Sequence, residues 1–251
     1  DWLASEFVDN GWSVKHLHRL MMTSTVYRQS SMSKSRLASG SQPSFYLAFP
    51  VRRLESEVIR DTVLAVTNQL NSKLYGDAVP VMEDGVGRVV IGKENLDGER
   101  KPTKTIDLVG EEFRRSVYVQ VRRSRTLSMF ETFDAPTMSP NCDRRSFSTV
   151  TPQSLLMMNS DFSIEYSSKL AQRVINDVGE DVALQIALAW QLTFAKPASE
   201  EELAEASNFV YAQRTLIAKA DQKLKAEDVA REALGVFCQA LLSSSRFLYV
   251  D

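Results

Sequence analysis

The sequence predicts a mainly α-helical fold with a small β element around residues 86–91 and 116–121. Three observations carry this. Apolar residues recur at helical spacing over both ends of the chain. Helix-start signals precede these runs: Ser13, the pair Thr151-Pro152, and Ser199 with Glu202 three residues on. Period-two alternation is clearest at Ser116–Val121, where Val117, Val119 and Val121 alternate with Tyr118 and Gln120.

Taken in order, residues 2–10 place Trp2, Leu3, Ala4 and Phe7 near one helical face, and Gly11 reads as a stop. Ser13 then opens a second helix that carries Val14, Leu17, Leu20 and Met21 at helical spacing. The paired helices read as a packing hairpin rather than a DNA-reading one. A Ser-rich connector with Gly40 and Pro43 fills residues 30–48. From Arg53 to Leu70 the helical period returns. Leu54, Val58 and Ala65 form one stripe beside Ile59, Val63, Val66 and Leu70, and Glu55, Glu57, Arg60 and Asp61 take the other side.

Six of the ten glycines fall within residues 72–114, which argues against helix there, and Arg88–Ile91 reads as a short strand. After Pro152 everything is helical in character. Thr151 caps a helix running to about Met158, Ser199 and Glu202 make a capping box, and Val229, Ala233, Val236, Phe237, Ala240 and Leu241 give the last long helix an apolar face. The expected organisation is one domain over 1–251, beginning within a longer one. It is helical over 1–71, a loop and β motif region over 72–160, and helical over 161–251.

Composition narrows the chemistry. The net charge is −2, from 30 basic and 32 acidic side chains, so no global field draws nucleic acid. No run of 18 apolar residues provides a membrane-spanning helix. Cys142 and Cys238 are far apart, which leaves a disulfide or two thiols open and gives no zinc, thioredoxin or haem-attachment spacing. His16 and His18, two apart, fall on different helix faces and suit no shared metal ion. The expectation is therefore no metal site and no cofactor within the chain. Gly85-Val86-Gly87 lacks the third glycine of a dinucleotide loop, and Asn95-x-Asp97-Gly98 fails as a calcium loop because lysines stand at its first and twelfth ligand positions.

Polar residues concentrate between Arg114 and Asn159. Arg114, Arg115, Arg122, Arg123 and Arg125 lie within twelve positions, and Glu131, Asp134, Arg144 and Arg145 follow. Two readings compete. In the first, Arg122 or Arg125 pairs with Glu131 or Asp134 and pins long loops onto the helices. In the second, Arg122, Arg123, Arg125, Arg144 and Arg145, with the helix start at Thr151, bind an anion such as a sulfated or acidic glycan. A carboxylate pair of Glu131 and Asp134 for glycoside hydrolysis is a further reading, and their spacing of three residues does not set the separation that chemistry needs. Ser148 and Thr149 lack a base nearby in sequence. Met21, Met22, Met157 and Met158 read as core filler, and Phe130, Phe133 and Phe147 as loop anchors.

Several segments together carry a family likeness. They are Gly11-Trp12-Ser13-Val14-Lys15-His16-Leu17-His18-Arg19-Leu20 with Thr25-Val26-Tyr27-Arg28-Gln29-Ser30-Ser31; Pro50-Val51-Arg52-Arg53-Leu54-Glu55 with Ile59-Arg60-Asp61; Arg115-Ser116-Val117-Tyr118 leading to Glu131-Thr132-Phe133-Asp134-Ala135-Pro136; Cys142-x-x-Arg145 with Ser148-Thr149-Val150-Thr151-Pro152-Gln153-Ser154-Leu155 and Asn159-Ser160; and the ending Phe247-Leu248-Tyr249-Val250. In this order they resemble the domain of unknown function 1553 family, a planctomycete-type domain. One departure is Phe194-Ala195-Lys196-Pro197, where the family tends to carry Phe-Gly-Arg-Pro. The resemblance implies an exported or periplasmic multidomain protein whose partners are other domains of the same polypeptide, with a c-type haem elsewhere on it. It supplies no catalytic residue. The expected function is a non-catalytic binding or scaffold module, with a polysaccharide-directed hydrolase or its accessory domain as the alternative.

Overall fold

The computed structural model describes residues 1–31, 49–96, 102–122, 125–136 and 145–250, side chains excepted at 94–96 and 102–105. Most of the Ser-rich connector, Asp97 and Gly98, Cys142, Arg123 and Arg144 lie outside the described residues. The chain divides into two compact units, Asp1–Arg53 with Tyr249–Asp251, and Leu54–Leu248.

In the first unit, α1 (Trp2–Asp9) and α2 (Val14–Thr23) form a hairpin. Gly11 and Trp12 both adopt left-handed backbone, φ +66 and +60, which reverses the chain in two residues. Ser13 caps α2 as expected, its hydroxyl accepting from the His16 amide at 3.2 Å. Glu6 Oε1 lies 2.9 Å from His16 Nε2 and ties the two helices across the turn. Strand β1 (Arg52–Arg53) pairs antiparallel with the terminal strand Tyr249–Val250.

The second unit is mainly helical, as expected. It begins with α3 (Ser56–Val66), whose buried residues are Ser56, Ile59, Arg60, Val63 and Leu64. Two short antiparallel pairings follow: β2 (Val81–Glu83) with β3 (Val89–Ile91), and β4 (Lys93–Leu96) with β5 (Pro102–Ile106). Residues 116–121 are not a regular strand. Ser116–Tyr118 is a 3-10 turn, and only Val119 makes a bridge, to Val79. Val117 is 75% exposed and Val119 6% exposed, so the alternation does not mark a buried face. The physical reason is that Asp61 captures both the backbone amide and the hydroxyl of Ser116, at 2.7 and 2.6 Å, and bends the chain there.

The short α4 (Ser128–Thr132) and the helices α5 (Thr151–Asn159), α6 (Asp161–Val178), α7 (Val182–Phe194), α8 (Glu200–Ala220), α9 (Ala226–Leu242) and α10 (Ser245–Leu248) complete the unit. Thr151 is the first helical residue of α5 rather than its cap, a position Val150 occupies. The Ser199–Glu202 capping box forms as read. Helix α9 packs on both α6 and α8, and α7 on α6 and α8. The main core is Leu170, Ala171 and Val174 of α6, Ile186 and Ala189 of α7, Val210 of α8, and Ala233, Leu234, Phe237, Cys238, Leu241 and Leu242 of α9. Leu234 and Cys238 sit inside where the sequence reading placed Val236 and Ala240, because the α9 stripe rotates to meet two neighbours at once. Cys238 is a free thiol, and burial pushes its pKa up, so it is packed as an apolar side chain. A satellite cluster of Val81, Val119, Leu127 and Phe130 anchors the β region, with Val89, Ile91 and Ala135 packed against it.

Helix α7 ends on Ala195 in left-handed backbone, φ +54, with its amide donating to the Gln191 carbonyl. An L-residue bears roughly 1–2 kcal/mol of strain in that backbone, and glycine does not. Ala195→Gly should therefore stabilise the protein by about 0.5–1 kcal/mol, the relief of strain less the entropy a glycine adds to the unfolded chain. The urea midpoint measures it, and an unchanged or lower midpoint contradicts the strain argument.

Candidate functional site

The polar region gathers along one edge of α3. Glu57, Arg60 and Asp61 stand at i, i+3 and i+4 and so share a helical stripe. In the structure this stripe holds two stretches of the loop region: Arg60 and Asp61 bind 112–116, and Glu57 binds Arg145.

Arg60 is buried, 3% exposed. Its Nη1 donates to the Arg114 carbonyl at 2.9 Å and to the Ser116 hydroxyl at 3.1 Å, and its Nη2 donates to the Glu112 carbonyl at 2.5 Å. Burial lowers its pKa, and the Asp61 carboxylate acts in the opposite sense. Ser116 links the pair, accepting from Arg60 and donating to Asp61. Arg115 stays exposed, with its Nε 3.6 Å from Asp61.

Arg114 is the largest fully buried side chain, 1% exposed. Its Nη1 donates to the Asp77 carbonyl at 2.9 Å and to Glu111 Oε2 at 3.1 Å, and its Nη2 donates to the Tyr75 carbonyl. The guanidinium lies over the Tyr118 ring, 4.0 Å from its centroid, and the Tyr118 hydroxyl accepts the Tyr75 amide at 3.1 Å. Tyr75 and Gly76 both take positive φ, +62 and +91, which turns two carbonyls toward one cation. A Cβ at Gly76 would stand 3.9 Å from Arg114 Nη1, an ordinary contact, so the positive φ and not space is what favours glycine there. Segment 71–79 is then laid along 113–120 by the Asn71 amide to the Phe113 carbonyl, 3.0 Å, and the Val79 amide to the Tyr118 carbonyl, 2.7 Å.

Arg145 meets Glu57 as a fork, Nη1 to Oε2 and Nη2 to Oε1, both at 2.8 Å, with Glu55 Oε2 3.3 Å from Nη1. Among the described residues Arg145 pairs with Glu55 and Glu57, and Arg125 with Glu83 at 3.2 Å. They lie too far away in sequence for spacing alone to reveal them. The Arg145 side-chain hydrogen bond holds the Glu57 carboxyl below the usual range, against a smaller opposing effect of burial.

Asp134, itself at φ +57, accepts from the Ser148 amide at 2.7 Å and from the Ser148 hydroxyl at 2.8 Å. Gln153 Nε2 donates to the Thr132 carbonyl at 3.1 Å. These contacts tie the end of α4 to the start of α5. Glu131 is exposed, and its carboxylate has no hydrogen bond or ion pair among the described residues. Arg122 is exposed with its Nε on the Gln120 side-chain carbonyl at 3.0 Å, and Thr151 is exposed. Phe130 and Phe133 are buried anchors as read, whereas Phe147 is exposed. Of the methionines read as core filler, Met157 is buried, whereas Met21, Met22 and Met158 are exposed.

Among the described residues no group of three or more His, Cys, Asp or Glu side chains could hold a metal ion. No described helix is long and apolar enough to cross a membrane. The arrangement around α3 is thus built to fix loops. Its guanidinium groups are taken up by backbone carbonyls, the Ser116 hydroxyl and the Glu57 carboxylate.

Two outcomes follow. Arg114→Leu should destabilise the protein by about 3–5 kcal/mol, since it strips the partner from two turned-in carbonyls, whereas Glu111 keeps Lys73 at 2.6 Å; urea unfolding reads this, and a loss under about 1 kcal/mol would show the cation to be dispensable. For Glu57, the folded pKa lies below the unfolded one, so its pairing stabilises above the ordinary carboxyl range and that stability is lost as pH falls below about 4.5. A melting-temperature profile of Glu57→Gln should lack this acid-side component, and an identical slope in both proteins would refute the assignment.

The family profile described as PSD1, protein of unknown function (DUF1553), matches residues 1–210. No curated protein and no solved structure matches the chain.

Proposed function

The chain belongs to this DUF1553 family of unknown function, and on that premise we propose that it is a non-catalytic binding or scaffold module. One observation carries the reading: the polar side chains that a site would use are spent on holding loops to α3 and α5. Arg60 and Arg114 bind backbone carbonyls, Arg145 is forked onto Glu57, and Asp134 is taken up by Ser148. A catalytic acid or base must reach a substrate proton, and a buried carbonyl-bound guanidinium does not. The exported, multidomain setting with a c-type haem elsewhere on the polypeptide belongs to this proposal on the strength of the family resemblance.

A second reading keeps one support. Arg122 is exposed with its two Nη groups unfilled among the described residues, close in sequence to the anion candidates, which suits an accessory role on a sulfated or acidic glycan.

The test is a screen of the full 251-residue chain against sulfated and carboxylated polysaccharides, scored for both retention and cleavage. The module reading expects no cleavage, with Asp134→Asn lowering the melting temperature as a structural change does. Cleavage abolished by Glu131→Gln at unchanged melting temperature would overturn it. Retention lost in Arg122→Ala supports the glycan reading, and retention unaffected by that change removes it.

A further inference from the structure

The unit Asp1–Arg53 with Tyr249–Asp251 has a property the rest of the chain lacks: among its described residues no apolar side chain is buried. Trp2 is 65% exposed and Trp12 68% exposed, and Leu3, Val8, Val14, Met21, Met22, Val26 and Tyr27 are exposed with them. Helices of eight and ten residues are too short to persist on propensity and draw their stability from a covered apolar face. The apolar residues are also shaped. Trp2, Leu20, Met21, Tyr27, Phe49 and Pro50 help line a cleft of about 750 Å³, with Arg52 in its wall. Beside it, Lys15, His18, Arg19 and Met22 line a second concavity of about 430 Å³.

The charged residues that line the two concavities, Lys15, Arg19 and Arg52, are all basic. Residues 1–53 hold seven Lys and Arg against three Asp and Glu. Lys15, Arg19, Arg28 and Arg52 are exposed, and their charged groups make no hydrogen bond or ion pair among the described residues. In the other unit, by contrast, Arg60, Arg88, Arg114, Arg145 and Arg246 are all engaged with carboxylates. Unpaired cations bordering an apolar hollow complement a partner that is apolar along one line and acidic on both flanks. The concave form favours a helix laid into a groove. A bilayer surface takes its apolar contacts from a flat or convex face, whereas here Leu20 and Phe49 are half-buried at the wall of the hollow.

We infer that this cleft docks an amphipathic helical segment of a protein partner, with aliphatic anchors at i, i+3, i+4 and i+7 and Asp or Glu along its edges. The inference rests on the binding-module reading and names the partner class for it. Lys15, Arg19 and Arg52 supply the charge selection, and Met21 and Tyr27 the apolar contact.

The probe is a synthetic helical peptide of about 18 residues, with a Leu stripe and Glu on its flanks, read by fluorescence anisotropy against the full chain. A second peptide carries Lys for every Glu. The acidic peptide should bind in the micromolar range and shift the tryptophan emission to the blue, and the basic one should bind at least about tenfold more weakly. Arg19→Glu and Met21→Glu should each weaken the acidic peptide by about tenfold or more. Both positions are exposed, so an unchanged melting temperature shows that the loss is local. Equal binding of the two peptides, or binding of neither, overturns the inference. So does co-sedimentation with phosphatidylglycerol vesicles without peptide binding, and so does a concentration-dependent dimer that Arg19→Glu dissolves without peptide binding. Failure of both peptides with no cleavage in the polysaccharide screen removes this dock and leaves the module reading standing. Cleavage removes the module reading whatever the peptides do.

Discussion

Arg60 is the constraint on which the loop region depends. One buried guanidinium on α3 binds the carbonyls of Glu112 and Arg114 and the hydroxyl of Ser116, so three points of a five-residue span are fixed at once. That span includes the backbone of Arg114, whose own side chain then fixes the carbonyls of Tyr75 and Asp77. The two arginines act in series: the first places the second, and the second folds 71–79 against 113–120. A buried cation is costly to desolvate, and here the cost is offset by three hydrogen bonds to protein oxygens and by the nearby Asp61 carboxylate. Lysine in either place would supply a point charge and lose the fork that reaches several carbonyls in different directions.

The same helix edge also binds the loop that follows. Glu57 receives Arg145 in a two-point fork, and Asp61 takes the amide and hydroxyl of Ser116. Helix α3 is thus apolar on one side, where Ile59, Val63 and Leu64 enter the core, and ionic on the other, where loops are seated. Its C-terminal end is closed from α6, where Arg173 Nη1 donates to the Val66 carbonyl at 2.7 Å. A helix that serves two kinds of neighbour explains why the long, glycine-rich stretch after it needs little regular structure of its own.

The first unit shows the opposite economy. Its helices are capped and turned by local chemistry alone, through Ser13, Gly11, Trp12 and the Glu6–His16 contact. Lys15, Arg19, Arg28 and Arg52 make no hydrogen bond or ion pair through their charged groups among the described residues. In the other unit the buried arginines are taken up in building the fold, and this asymmetry sets the hairpin apart from the Arg-rich stretch.

What the sequence determined by itself is what local physics controls: the helical class, the caps at Ser13 and Ser199, and the buried run of Val229, Ala233, Phe237 and Leu241 in the last long helix, because periodicity and capping involve residues within four positions of one another. The segments carrying the family likeness also held the pieces of the clamp, Ile59-Arg60-Asp61 and Arg115-Ser116 among them, without indicating that they meet. Only the tertiary structure decided that Arg60 points inward, that Ser116–Tyr118 is a turn and not a strand, and that Arg145 pairs with Glu57 across 88 positions. The reason is physical. A charged residue on a helix reads as solvent-facing until long loops return to cover it, and which loop returns is fixed by carbonyl groups that every sequence shares.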